Sequence, residues 1–173
     1  MVRLVNSTSA ERTPVERLAA IIQDIRVAML STVDADGTVR ARPMATQRLP
    51  FDGTLWFFTA RDAHKVDEIR ARPWVNVTYA SPHAWVSISG QAEAVVDGLR
   101  MRQLWNPLYE AWFPRGLDDP DLLLLRIRVE QADWWSTAGG AATRLAGFVK
   151  AIATGKRVDD AEHQHLELSA PDP

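Results

Sequence analysis

Val27-Ala28-Met29-Leu30-Ser31-Thr32-Val33, then Asp34-Ala35-Asp36-Gly37, then Val39-Arg40-Ala41-Arg42-Pro43-Met44-Ala45-Thr46: this stretch decides the fold. The first run is short, apolar and strand-like. The second is a tight turn, in which Gly37 supplies a positive φ and the aspartates bond their own backbone. The third is the return strand. Pro43 inside it cannot donate a ladder hydrogen bond, which predicts an edge strand or a gap in a barrel.

Working outward, Leu49 to Gly53 reads as a second turn and Thr54 to Ala60 (TLWFFTA) as a third strand, rich in aromatics. Short connections predict that these three strands are antiparallel neighbours. Upstream, Thr13-Pro14-Val15-Glu16 is a capping box with proline at the first helical position. Val15, Leu18, Ala19, Ile22 and Ile25 then follow at helical spacing. Downstream, a helix is predicted over Asp62–Arg72, capped by Asp62 and ended by Pro73. Trp74–Ala80 is a fourth strand. Ala84–Val95 is a fifth, with Val86, Ile88, Gly90, Ala92 and Ala94 on one face. Gly90 points to a bulge or a close ligand approach. Asp97–Trp105 reads as a helix and Leu122–Glu130 as a sixth strand, which Asp133 to Ser136 extends at the edge.

These elements predict a mainly β fold with flanking helices, a six-stranded antiparallel split β-barrel of Greek-key type. The expected organisation is a flexible segment over 1–12, the barrel domain over 13–136, and a tail over 137–173 with a helical stretch near Ala142–Ala153 and a poorly ordered end. No GxGxxG, P-loop pattern or βαβ alternation supports a doubly wound nucleotide fold.

The chain has 173 residues, which suits one domain. Twenty Lys and Arg face 22 Asp and Glu, for a net charge of −2, so no basic field exists to hold nucleic acid. There are no cysteines, which excludes disulfides, thiolate nucleophiles and Cys-ligated metals. No apolar run approaches a membrane span and no signal-peptide pattern opens the chain, so the expected location is cytoplasmic. No metal site is picked out either. His163 and His165 lack a third ligand, and Asp118, Asp119 and Asp121 around Pro120 read as a turn and cap.

Chemistry concentrates in two places. Arg40 and Arg42 share one face of the second strand. Alone they would be solvated charges. Phe58-Thr59-Ala60-Arg61-Asp62-Ala63-His64-Lys65 ends a strand and opens a helix, and helix N-termini attract anions. Thr59, His64 and Lys65 would surround one phosphate, with Arg42 adding a fork from the neighbouring strand. Residue chemistry carries this no further than a phosphate-sized anion site. The seven tryptophans include exposed-loop candidate Trp112 and the pair Trp134-Trp135, each either a packing residue or a stacking surface for a planar ligand.

Arg42-Pro43-Met44-Ala45-Thr46-Gln47, with Phe58-Thr59 and His64-Lys65, resembles the flavin-binding pattern of the pyridoxamine 5′-phosphate oxidase-like split barrels. Trp105-Asn106-Pro107-Leu108, Trp112-Phe113-Pro114-Arg115-Gly116, Asp118-Asp119-Pro120-Asp121 and Trp134-Trp135 resemble the bacterial general stress protein branch of that family. The likeness covers roughly residues 13–136, with a weaker echo at Thr154-Gly155-Lys156. It implies FMN as cofactor, with flavin adenine dinucleotide an open alternative because both share the proximal phosphate. It implies that Arg42 and Lys65 contact that phosphate, that Thr59 at the end of the third strand joins them, and that Pro43, Met44 and Thr46 line the ring. Trp135 matches a tryptophan beside the flavin. Trp112 is either a loop plug or a wall of the pocket, reached across a homodimer interface of the kind in which the family builds its sites.

Departures from the pattern qualify the activity. His64 replaces an arginine, so a fixed charge becomes a titratable one. Trp85 stands where the oxidase has a glutamine, and an indole cannot accept a hydrogen bond. Ala141, Thr143 and Leu145 fall at offsets where the oxidase holds its substrate with arginine and histidine, which argues against pyridoxamine phosphate oxidase activity. The implied function is a flavin-dependent oxidoreductase with a reduced nicotinamide as donor and no assigned catalytic side chain. The rival is a non-catalytic flavin-binding stress protein acting as store, scavenger or sensor. A third reading is a barrel holding another phosphorylated ligand, such as a haem-related or deazaflavin cofactor.

Overall fold

The computed structural model describes residues 12–47, 49–137 and 161–168. Its elements run α1 (Pro14–Gln23), β1 (Val27–Val33), β2 (Val39–Ala45), β3 (Thr54–Ala60), α2 (His64–Ala71), β4 (Trp74–Ala80), β5 (Ala84–Val95), α3 (Gly98–Leu104), β6 (Leu122–Thr137) and β7 (Ala161–Glu167). All the pairings are antiparallel. The sheet order is β2-β1-β4-β5-β6-β3, with β7 also on β6, and it does not close into a ring. This is the mainly β, split-barrel architecture that the strand pattern predicts. Among the described residues no helix is long and apolar enough to cross a membrane.

Local chemistry explains the ends of the elements. Thr13 and Glu16 form the reciprocal capping box, and Leu18, Ile22 and Ile25 of this segment enter the core. At the β1–β2 hairpin Gly37 has φ +88, Asp34 Oδ1 accepts the Ala35 N–H at 2.7 Å, and Asp36 Oδ1 accepts the Thr38 N–H at 2.8 Å. The β5–β6 ladder shifts register between Ser89 and Gly90, the expected bulge. A Cβ at Gly90 would lie 2.2 Å from the Arg128 carbonyl oxygen, so only glycine admits this close approach.

Three expectations change. First, β2 and β3 are not paired neighbours. They stand at opposite ends of the sheet, and β3 pairs with β6 from Thr54↔Arg128 to Ala60↔Leu122. The reason is burial. Leu55 and Phe57 face the main core with Leu125 and Ile127, whereas Trp56 and Phe58 face a second cluster with Met101, Leu104, Leu122 and Leu124. Among the described residues only the leucine run of β6 offers β3 an apolar partner on both faces, and it is a continuous run because both its faces are covered. β2, carrying Pro43, is left as an edge.

Second, the end of the chain adds a seventh strand. Residues 161–167 pair with Gln131–Thr137. Leu166 and Leu168 pack against the core while His163, His165 and Glu167 stay exposed, an alternation readable as a strand. The helical stretch expected near Ala142–Ala153, the echo at Thr154–Lys156 and the offsets at Ala141, Thr143 and Leu145 lie outside the described residues. Third, α2 begins at His64 with Ala63 as N-cap, not at Asp62, and no side chain caps it.

Candidate functional site

β2 and α2 meet at the hairpin end of the sheet. β1 and β2 are in register with Leu30 opposite Arg42 and Thr32 opposite Arg40, so both arginines follow the inward face. There the Arg42 Nη2–H donates to Glu68 Oε2 at 2.8 Å, Nη1–H donates to the Thr32 hydroxyl, and that hydroxyl donates to the same Glu68 oxygen. Thr32 and Glu68 are buried, at 1% and 4% exposure, so a buried three-membered network centred on Glu68 Oε2 sits beneath α2. Arg40 Nε–H donates to Asp34 Oδ2 at 2.6 Å. Arg72 donates to the carbonyl oxygens of Asp34 and Ala35, tying the far end of α2 to the hairpin.

His64 and Lys65 open α2. The His64 ring nitrogen Nε2 lies 3.3 Å from Asp34 Oδ1 and 3.5 Å from Glu68 Oε1. The ammonium of Lys65 has no hydrogen bond or ion pair among the described residues. Burial, and then the charge of Arg42, push its pKa below the ordinary lysine value. Asp34 is held down at about 2, first by the Ala35 N–H and then by Arg40.

An anionic group fits here. The first turn of α2 has no side-chain cap. The half-buried cation of Lys65 has no ion pair among the described residues, the charge of Glu68 acting on it only as the least of three influences. Arg42 uses two of the five N–H donors of a guanidinium, leaving the others for a ligand. Thr59 is buried at the end of β3, where its hydroxyl makes a long contact with the Ala60 carbonyl, 3.4 Å, and among the described residues no hydrogen bond joins it to Arg42, His64 or Lys65.

The other predicted residues fall elsewhere. Met44 is buried in the core, so its backbone rather than its side chain is what an open ligand could reach. Pro43 faces outward from the edge strand. The Thr46 hydroxyl donates to the Ile25 carbonyl and its N–H to the Arg26 carbonyl at 3.0 Å, so it fastens the α1–β1 connection to the end of β2. Phe58 packs edge-on against Trp105, ring centroids 5.6 Å apart, and against Tyr109 at 5.2 Å. Trp112, at 71% exposure, ends a 3-10 turn at Pro107–Ala111. Trp135 lies on the outer face of the sheet, in register with Trp85 on one side and stacked at 5.1 Å on His163 on the other.

The structure therefore unites Arg42, His64 and Lys65, and adds Glu68 and Asp34, which sequence reasoning missed. Spacing held a signal for Glu68, one turn after His64 on the same helical face. For Asp34 the turn chemistry hid a second role.

The family model described as "Pyridoxamine 5'-phosphate oxidase like" matches residues 13–159. No curated protein matches the chain. Among solved structures, a putative general stress protein 26 from Jannaschia sp. is 25% identical, covering 89% of this chain and 95% of that one with a TM-score of 0.70. The general stress FMN/FAD binding protein from Xanthomonas citri is 29% identical over 72% of this chain and 92% of that one, TM-score 0.62. The general stress protein 26 of Bacillus anthracis, at 24% identity, 69% and 92% coverage and TM-score 0.63, shares the fold. With its own barrel matched from α1 through β6, the chain belongs to the pyridoxamine 5′-phosphate oxidase-like family, alongside general stress proteins.

Proposed function

We propose that this chain is a flavoprotein that binds FMN between two copies of itself and acts as a cytoplasmic flavin-dependent oxidoreductase of the general stress protein type. The observation that carries the cofactor is Lys65: a half-buried ammonium with no hydrogen bond or ion pair among the described residues, beside Arg42, at an uncapped helix start. A phosphate would supply the missing negative charge. The Xanthomonas citri neighbour, named an FMN/FAD binding protein, makes flavin the leading candidate for the group that carries that phosphate. Arg42, Thr59, Lys65 and His64 would hold the phosphate, and Pro43, Met44 and Thr46 would present backbone to the ring. When bound, the flavin supplies the electron or hydride transfer, and the protein orients it.

The dimer is part of this proposal, since the resemblance implies a site built between two copies of the chain, with Pro43 on β2 and Trp135 on β6 lining one flavin from different copies. Exposed Trp85, Trp135, Met29 and Val27 on the same outer face are suited to the interface this requires. Trp112 would then close the pocket.

The second reading, a flavin store, scavenger or sensor without turnover, is favoured by one feature. The positions that hold substrate in the oxidase are Ala141, Thr143 and Leu145 here, with neither charge nor imidazole. Light scattering should give a dimer mass and purified protein should carry a flavin absorption band. Anaerobic mixing with NADH and NADPH then divides enzyme from binder. Bleaching of the bound flavin faster than of free FMN supports the oxidoreductase; no acceleration by either nucleotide leaves the binder.

A further inference from the structure

Among the described residues one buried side-chain polar atom has no hydrogen-bond partner: Glu68 Oε1. A carboxylate oxygen left so in an interior is costly unless something satisfies it. The His64 ring nitrogen Nε2 lies 3.5 Å from it, and the same nitrogen lies 3.3 Å from Asp34 Oδ1. The three atoms all lie within 4.8 Å of one another.

We propose that Asp34 Oδ1, His64 Nε2 and Glu68 Oε1 form a binding site for one divalent cation of the zinc class. Zinc bonds to imidazole nitrogen and carboxylate oxygen at about 2.0–2.2 Å, so two ligands of a tetrahedral ion stand about 3.4 Å apart. The two His64 separations bracket that value. The far oxygens of both carboxylates are already fixed. Glu68 Oε2 accepts from Arg42 and Thr32, and Asp34 Oδ2 accepts from Arg40. Carboxylates that ligate metals are commonly oriented in this way through their other oxygen.

Imidazole with two carboxylates suits zinc better than calcium or magnesium, which take oxygen ligands. The fourth position would fall to water. His64 is exposed and gives the ion an entry path. Asp34 Oδ1 also accepts the Ala35 N–H, and the guanidiniums of Arg40 and Arg42 stand behind the ligand oxygens. Binding should therefore be weaker than in a closed structural zinc site. This inference does not rest on the flavin reading and is tested without flavin.

The test is calorimetric titration of ZnCl₂ into chelator-treated, flavin-free full chain in a phosphate-free buffer. One ion per chain is expected. Even an outer-sphere partner contributes about 10–100-fold to metal affinity, so His64→Ala and Asp34→Asn should each weaken binding by at least about tenfold. Both residues are at the surface end of the cluster, and circular dichroism checks that the variants fold. A His163→Ala/His165→Ala double variant should keep the one-ion site. No binding by the wild type into the millimolar range, unchanged affinity in His64→Ala, or loss of the site in the tail double variant overturns the proposal.

Discussion

Two regions of the sheet use their residues in opposite ways. Where β2 meets α2, charged groups are drawn inward: Glu68 is buried to 4% and shares Arg42 with Thr32. On the outer face of β5, β6 and β7, aromatics are left outside: Trp85 is 44% exposed and Trp135 37%. Burying ions costs free energy unless every group is paired, and leaving indoles in water forgoes their burial. A domain optimised only for stability would do neither. The inward charges hold the Arg42 fork in place, and the outward aromatics form the face proposed for a second copy. Both departures fall where ligand and partner are proposed.

The contrast can be broken most severely at Trp134 and Trp135, adjacent residues on opposite faces of β6. Trp134 is 2% exposed, so Trp134→Ala should cost about 3–5 kcal/mol in urea unfolding. Trp135→Ala should change the stability of the isolated chain by less than about 1 kcal/mol and instead weaken self-association. Equal losses would show that the outer aromatics are ordinary core.

The buried charges are tested next. Glu68→Ala leaves Arg42 without its counter-ion, and removing one member of such a pair costs about 3–5 kcal/mol when both are buried. The Arg42 side chain is 21% exposed, which puts the expected loss at the lower end of that range. Replacing both members, as in Arg42→Met/Glu68→Leu, should recover most of it. A double variant no better than Glu68→Ala would mean that the network contributes more than pairwise neutralisation.

The smallest effect concerns β7. Asp133 Oδ1 lies 3.0 Å from His163 Nε2 and 2.9 Å from His165 Nδ1. The hydrogen bond to Asp133 raises the pKa of His165. Burial pushes Asp133 upward, but its bonds to His165 and His163 prevail and hold it below the usual carboxylate value. A raised histidine stabilises the folded form fully below its unfolded pKa of about 6.5 and stops doing so as pH rises through the folded value. A lowered carboxylate stabilises above about 3.9 and stops as pH falls through its folded value. The β7 amides, corrected for intrinsic exchange, should thus be less protected at pH 8.5 than at pH 6, with β4 amides unaffected. Equal protection of β7 at both values would remove the latch.

Much of this was legible in residue order. The capping box, the Asp–Gly hairpin, the bulge at Gly90 and the edge character of Pro43 are local chemistry, and each stands where the sequence places it. Pairing was less legible. Short turns suggested that β3 would lie beside β2, but the alternation of Leu55 and Phe57 against Trp56 and Phe58 demanded a partner buried on both faces. Only the leucine run of β6, some 70 residues away, provides one. For the site, Arg42 and Lys65 were readable as cations near a helix start. The tie of Arg42 to Glu68, and that of Asp34 to His64, depend on β1–β2 register and on how α2 lies across it, which no local pattern encodes.

In the proposed site the half-buried ammonium of Lys65 and the fork of Arg42 receive a flavin phosphate. Fluorescence titration of FMN measures this directly on the wild type, Lys65→Ala and Arg42→Ala, with riboflavin, which lacks the phosphate, as the reference ligand. Each substitution should weaken FMN binding by about 1.5–3 kcal/mol, the scale of a hydrogen bond to a charged group, and leave riboflavin binding nearly unchanged. FMN affinity unaltered in both variants, or riboflavin bound as tightly as FMN by the wild type, would contradict it.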